Sequence, residues 1–118
     1  MKNIINLLSL NIQWIIRIPL AITFLVHGYP KLGVSVANLG YIGYLVGPFE
    51  FFGALLLLTG PFIKSNMVSR IGALMISVIM IGAIYMHLIK WNDTIADVEW
   101  QVLLLCVSLL FLVRGNKV

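Results

Sequence analysis

The chain has 118 residues, of which 61% are hydrophobic and only 10% are charged, and its mean hydropathy is +1.05. A soluble domain of this length could not bury so much apolar surface, because small domains keep a large surface for their volume. The composition therefore excludes an ordinary soluble domain and indicates an integral membrane protein. The net charge of +4 is not a sign of nucleic-acid binding, since Lys and Arg in membrane proteins mark one side of the bilayer.

Four apolar segments follow one another along the chain, each near the ~20 residues that cross a ~30 Å hydrocarbon core. Each is predicted to be helical, because unpaired backbone groups find no water inside a bilayer. The sequence thus predicts an all-α membrane protein, with residues 1–118 forming a single transmembrane domain that is a four-helix transmembrane bundle. The predicted spans are Ile12–Tyr29, Gly40–Phe62, Val68–Ile89 and Val98–Val113.

The basic residues divide unevenly between the two sides that these spans define, with six on one side and two on the other. The positive-inside rule then predicts that both termini are cytoplasmic. We expect a multi-pass protein of a bacterial-type plasma (inner) membrane. Arg17, Arg70 and Arg114 are interpreted as topology anchors near the lipid head groups. The Arg17 side chain is long enough to snorkel to the interface.

The loop between the third and fourth spans, "KWNDTIADVEW", contains three of the four acidic residues. One interpretation is a solvated cap that only connects the two spans. The other is a lid over a binding site. The sequence leaves both interpretations open.

Polar side chains inside a membrane span are costly and usually face the interior of the bundle. Residues three and four apart share a helix face, so each of the first three spans has an inward stripe that includes a polar residue. His27, Lys31, Glu50 and His87 are therefore predicted to line one cavity in the outer half of the membrane. The stripes are Arg17, Leu20, Phe24, His27 and Lys31; Gly40, Gly43, Gly47, Glu50 and Ala54; and Ala73, Ile76, Met80, Ala83 and His87.

Three stretches carry a resemblance to a known family: "RIPLAITFLVHGYPKL" (Arg17–Leu32), "GPFEFFGALLLLTGPF" (Gly47–Phe62) and "RIGALMISVIMIGAIYMH" (Arg70–His87). On these residues the sequence resembles the DoxX family of small four-helix membrane proteins. Some members of that family are membrane subunits of oxidoreductases, including a thiosulfate–quinone oxidoreductase, and others are linked to quinone detoxification. The resemblance implies an integral membrane subunit associated with a quinone-linked oxidoreductase or redox-stress system.

A quinone is accordingly the first hypothesis for the predicted cavity. His27, His87 or Lys31 would hydrogen-bond the quinone oxygens and Glu50 would exchange a proton, since reduction of a quinone takes up two protons. The alternative is structural: Glu50 pairs with a histidine or with Lys31, and the pair fixes the helix register.

Other ligands are less well matched by the sequence. Haem would need His27 and His87 as axial ligands, and His27 is expected near the water, so haem is disfavoured. A metal such as copper could draw on the two histidines, Glu50 and the methionines Met75, Met80 and Met86, but no H-x-x-H spacing occurs and methionine in an apolar span usually packs. We predict no metal site.

A non-catalytic role is the main alternative to a redox function. No G-x-G-x-x-G, G-K-S/T or C-x-x-C motif occurs, so any catalysis would need partner proteins. The chain would then be a scaffold or accessory subunit of a larger membrane complex. The expected partners are the lipid bilayer and either partner subunits or further copies of the chain, and no nucleic acid is expected.

Overall fold

The computed structural model describes residues 2–34, 40–41 and 43–117, and these residues form helices and turns without strands. Four helices dominate the described ranges, and short helical turns extend or precede them. The four are α1 (Lys2–Gly28), α2 (Gly43–Thr59), α3 (Asn66–Tyr85) and α4 (Glu99–Arg114). The short elements are 3₁₀ turns at Tyr29–Lys31, Ile95–Val98 and Gly115–Lys117, and a π-helical turn at Met86–Lys90.

Three helical stretches are long and apolar enough to cross a membrane, namely Asn11–Lys31, Asn66–Lys90 and Ile95–Lys117. The prediction of an all-helical, multi-pass membrane protein is therefore supported. Helix α2 is also apolar but has only 17 residues, about 25 Å at 1.5 Å per residue. That α2 crosses as a fourth span, and that both termini are cytoplasmic, stay predictions.

Two helix boundaries differ from those predicted, for local chemical reasons. Helix α1 begins at Lys2 rather than Ile12, because no glycine or proline interrupts residues 2–11. Helix α2 begins at Gly43 and ends at Thr59, because Gly60 and Pro61 follow and proline has no N–H to continue the helix. Residue 42, inside the predicted second span, lies outside the described residues.

The helices pack in chain order: α1 lies along α2, α2 along α3 and α3 along α4, whereas α1 and α4 scarcely touch. Glycines permit the closest approach. A Cβ added to Gly72 of α3 would lie 2.5 Å from the carbonyl oxygen of Gly53 in α2, so these backbones meet directly. The result is a row of helices with an open seam between the first and the last.

The predicted inward stripes are largely buried. Gly43, Gly47, Glu50 and Ala54 are buried in α2, and Ala73, Ile76 and Met80 are buried in α3. Gly40 lies outside α2 and is exposed.

Helix α1 departs from its predicted stripe at the last turn. Arg17, Leu20 and Phe24 are buried, but the stripe continues to Gly28, and His27 is exposed. A Cβ on Gly28 would lie 2.8 Å from the backbone nitrogen of Phe51. Only glycine fits where α1 crosses α2, so its neighbour His27 is turned aside.

The prediction that Arg17 snorkels to the interface is wrong. Its side chain is fully buried and donates hydrogen bonds to the carbonyl oxygen of Leu57 at 2.5 Å and to Ser69 Oγ at 3.1 Å. It also donates to Gln13 Oε1 at 2.6 Å and to Asn116 Oδ1 at 3.4 Å. These acceptors pair both terminal nitrogens of the guanidinium inside the protein, so the side chain does not need to reach water. Its part in setting topology stays a prediction, as do those of half-buried Arg70 and exposed Arg114.

Candidate functional site

A cavity of about 570 Å³ opens at the predicted outer end of the molecule, where α1 ends, α2 begins and α3 ends. Residues of all four helices line it, and most of them are apolar. His27, Lys31, Glu50 and His87 all lie on its wall. The volume lies within the ~300–1,000 Å³ typical of small-molecule sites.

Glu50 forms the polar floor of this cavity. It lies seven residues into α2, about 10 Å along the helix axis, and is only 3% exposed. Lys31 Nζ donates to both of its carboxylate oxygens, at 3.1 and 3.0 Å. The Lys31 side chain is one-third exposed, so this ion pair joins the buried carboxylate to the mouth of the cavity.

The backbone around Lys31 explains why this lysine, rather than a histidine, meets Glu50. Helix α1 ends at Gly28, and the 3₁₀ turn Tyr29–Lys31, with Pro30 inside it, folds the chain against α2. A Cβ added to Gly47 would lie 2.5 Å from the carbonyl carbon and oxygen of Lys31. Gly47 thus admits the turn, and the Lys31 amine comes within reach of the carboxylate one helical turn further along α2.

His87 has a different acidic partner. It lies in the π-helical turn after α3, a geometry that is often found at functional sites. Its Nδ1 is 2.7 Å from Asp93 Oδ2, and its ring meets the Trp91 ring edge-on with centroids 4.9 Å apart. His87 therefore contributes to the cavity wall without contacting Glu50.

The segment after α3 is ordered by its own hydrogen bonds. The Thr94 backbone N–H and hydroxyl both donate to Asp97 Oδ2, at 2.9 and 3.0 Å, which begins the turn into α4. Trp91 and Trp100, at the two ends of the segment, both line the cavity. Both interpretations of the segment, lid and solvated cap, stay predictions: two of its residues line the cavity, and Asp97 and Glu99 face solvent.

Asp93 is the site residue that sequence reasoning missed. The sequence feature that could have indicated it is "HLIKWND", because Asn92 can take the left-handed backbone conformation that turns the chain back toward His87. Asn92 has φ +54°, and Asp93 folds back onto His87. No side-chain periodicity indicates such a reversal.

His27 lies on the cavity wall but is exposed, and it makes no hydrogen bond or ion pair with the residues the structure describes. Within the same residues, no group of three or more His, Cys, Asp and Glu side chains could hold a metal ion.

Comparison with known proteins gives one match. The family model for DoxX matches residues 12–88, well over half of the chain. The matched range includes the four predicted cavity residues and ends before Asp93 and α4. No curated protein matches the chain, and no solved structure does.

Proposed function

Because this chain belongs to the DoxX family, we propose that it is a membrane subunit associated with a quinone-linked oxidoreductase or redox-stress system. Its cavity would bind a small lipophilic ligand such as a quinone. The observation that supports this most is the meeting of four titratable side chains, from three parts of the chain, on the wall of one mainly apolar cavity.

The residues of the cavity fit a quinone ring. Apolar side chains such as Phe24 and Leu104 would contact the ring and the start of its tail. Lys31 and the histidines offer hydrogen-bonding nitrogens for the ring oxygens. Glu50 pairs with Lys31, and Asp93 pairs with His87. A bound quinone would supply two-electron, two-proton chemistry, and the titratable groups would hold protons beside it.

The seam between α1 and α4 provides a route from the lipid. A second, smaller hollow lies along this seam, between residues such as Ile15 and Leu103, and shares Thr23 and Leu104 with the main cavity. A ligand with a long apolar tail can therefore leave the tail between the helices while its ring reaches the polar groups. This arrangement favours a membrane-soluble ligand over a water-soluble one.

The test is a binding titration with decylubiquinone on the protein in lipid nanodiscs. Trp91 and Trp100 line the cavity and would report binding by fluorescence quenching, whereas Trp14 packs on Phe62 at the other end and is removed as Trp14→Phe. Decylbenzene, with the same tail and no oxygens, is the ligand control.

Lys31→Met removes the donor to a ring oxygen and Glu50→Gln removes the carboxylate that holds it, so each should weaken decylubiquinone binding by about tenfold, the equivalent of one hydrogen bond. Glu99→Gln, an exposed acid on α4 outside the cavity wall, should leave it unchanged. Displacement of decylubiquinone by an equal concentration of decylbenzene, or unaltered affinity in both cavity variants, would remove the support for a quinone site.

One observation favours the scaffold alternative. The Lys31–Glu50 pair and the fit at Gly47 fix α1 against α2 without any ligand. Gentle solubilisation from native membranes, followed by mass spectrometry of co-purifying proteins and small molecules, separates the two roles. A scaffold would co-purify with partner subunits but without quinone, and Glu50→Gln would impair assembly while leaving the redox activity of any assembled complex unchanged.

A further inference from the structure

The geometry points to Asp93 as a positioning residue that holds His87 with its proton on Nδ1 and so presents Nε2 as an acceptor for a hydroxyl group of the ligand. This inference rests on the proposed function and makes it more specific: the preferred ligand is the hydroxyl-bearing, hydroquinone form.

Asp93 is joined to His87 at two points. Its backbone N–H donates to the carbonyl oxygen of His87 at 2.7 Å, and its Oδ2 is 2.7 Å from His87 Nδ1. The left-handed conformation of Asn92 makes this return of the chain possible. The Trp91 ring packs against the imidazole in a T-shaped contact. Backbone, carboxylate and indole together define the position of the ring.

A carboxylate can accept a hydrogen bond but cannot donate one, so it selects the histidine tautomer with hydrogen on Nδ1. Nε2 of the neutral imidazole is then an acceptor. It has no hydrogen-bond partner among residues 2–34, 40–41 and 43–117, and His87 lies on the cavity wall.

Gln101 Oε1 is a second acceptor on the cavity wall, buried and without a hydrogen-bond partner among the described residues, but an amide can turn either its oxygen or its nitrogen toward a ligand. Lys31 is a donor only. The two oxygens of Glu50 already accept from Lys31. Among the described residues, no carboxylate pairs with His27 to select its tautomer. Asp93 thus makes His87 a group that distinguishes an aromatic hydroxyl from a ring carbonyl, since only the hydroxyl can donate to Nε2.

The positioning role is tested without any ligand. Long-range ¹⁵N–¹H NMR of histidine-labelled protein in micelles, at about pH 8 and so above the ordinary histidine pKa of about 6.5, reports which ring nitrogen carries hydrogen. His87→Gln assigns the signals, since the chain has two histidines. We expect the Nδ1–H tautomer of His87 in the native chain and a mixture in Asp93→Asn, because an amide can also donate. Glu99→Gln should match the native spectrum.

The ligand preference is tested by titrating decylubiquinol under nitrogen and decylubiquinone separately, with quenching of the cavity tryptophans as the readout. The native chain should bind the quinol about tenfold more tightly, as one additional hydrogen bond predicts, and Asp93→Asn should lose that preference while retaining quinone binding. A native Nε2–H tautomer, or a preference unaltered in Asp93→Asn, would overturn the inference. If neither form binds, the proposed function and the ligand preference both fail, and the NMR result still decides whether Asp93 positions His87.

Discussion

Arg17 donates a hydrogen bond to the carbonyl oxygen of Leu57, 40 residues along the chain. In a continuing helix that oxygen would accept from the N–H of residue 61, but residue 61 is proline and has none. The guanidinium thus replaces the missing donor at the end of α2, where the helix dipole also favours a positive charge. The Arg17 charge is buried because it pairs with the carbonyl oxygen of Leu57, which has no backbone donor.

Replacing Arg17 with Gln should strongly destabilise the protein. The carbonyl oxygen of Leu57 would be left without a donor, which costs about 1–3 kcal/mol, and Ser69 and Asn116 would each lose one hydrogen bond while keeping the bond between them. Thermal unfolding in detergent measures the effect. Arg114→Gln, at an exposed arginine, is the matched control and should unfold at the native temperature. Equal stability of the two variants would show that the Arg17 contacts contribute little.

Gly47→Ala should displace the turn that carries Lys31, because the new Cβ would lie 2.5 Å from backbone atoms that cannot rotate away. We expect a lower unfolding temperature and a weaker Lys31–Glu50 pair. Gly82→Ala is the control, since a Cβ there meets no atom within 4 Å and alanine favours helix by about 1 kcal/mol. A Gly47→Ala protein as stable as Gly82→Ala would contradict the close packing of the turn on α2.

The Lys31–Glu50 pair should show a favourable coupling energy in a double-mutant cycle. Lys31→Met alone leaves the Glu50 carboxylate buried without its cation, which is worse than removing both charges. The double variant Lys31→Met/Glu50→Gln should therefore unfold at a higher temperature than Lys31→Met. Additive effects of the two substitutions would mean that the pair contributes no coupling.

The predicted orientation can be measured by labelling single cysteines in intact cells. On a Cys106→Ser background, a cysteine at Ile95 (75% exposed) and one at Ile63 (61% exposed) mark opposite ends of the molecule. A membrane-impermeant maleimide should label Ile95→Cys in intact cells and Ile63→Cys only after permeabilisation. The reverse pattern would place the C-terminus outside the cytoplasm, and with it the N-terminus if α2 crosses as predicted.

Several features of this protein follow from the order of residues alone. Its apolar composition requires a membrane, and the helical repeat of Gly43, Gly47, Glu50 and Ala54 predicts the buried face of α2 correctly. The motifs around Arg17, Glu50 and His87 identified the DoxX family, which the family model confirms. The buried face of a helix is marked by its own residues at helical spacing, so a periodic pattern in the sequence is enough to predict that face.

Tertiary structure alone decided which groups meet. Periodicity placed three cations near Glu50, but the turn at Gly28 and the fit of Gly47 chose Lys31. A chain reversal at Asn92 brings Asp93 to His87. Arg17 is buried because it donates to the Leu57 carbonyl oxygen, which Pro61 leaves without a backbone donor. Pairing depends on ångström-scale distances between segments far apart in the chain, whereas a helical repeat specifies only direction about an axis.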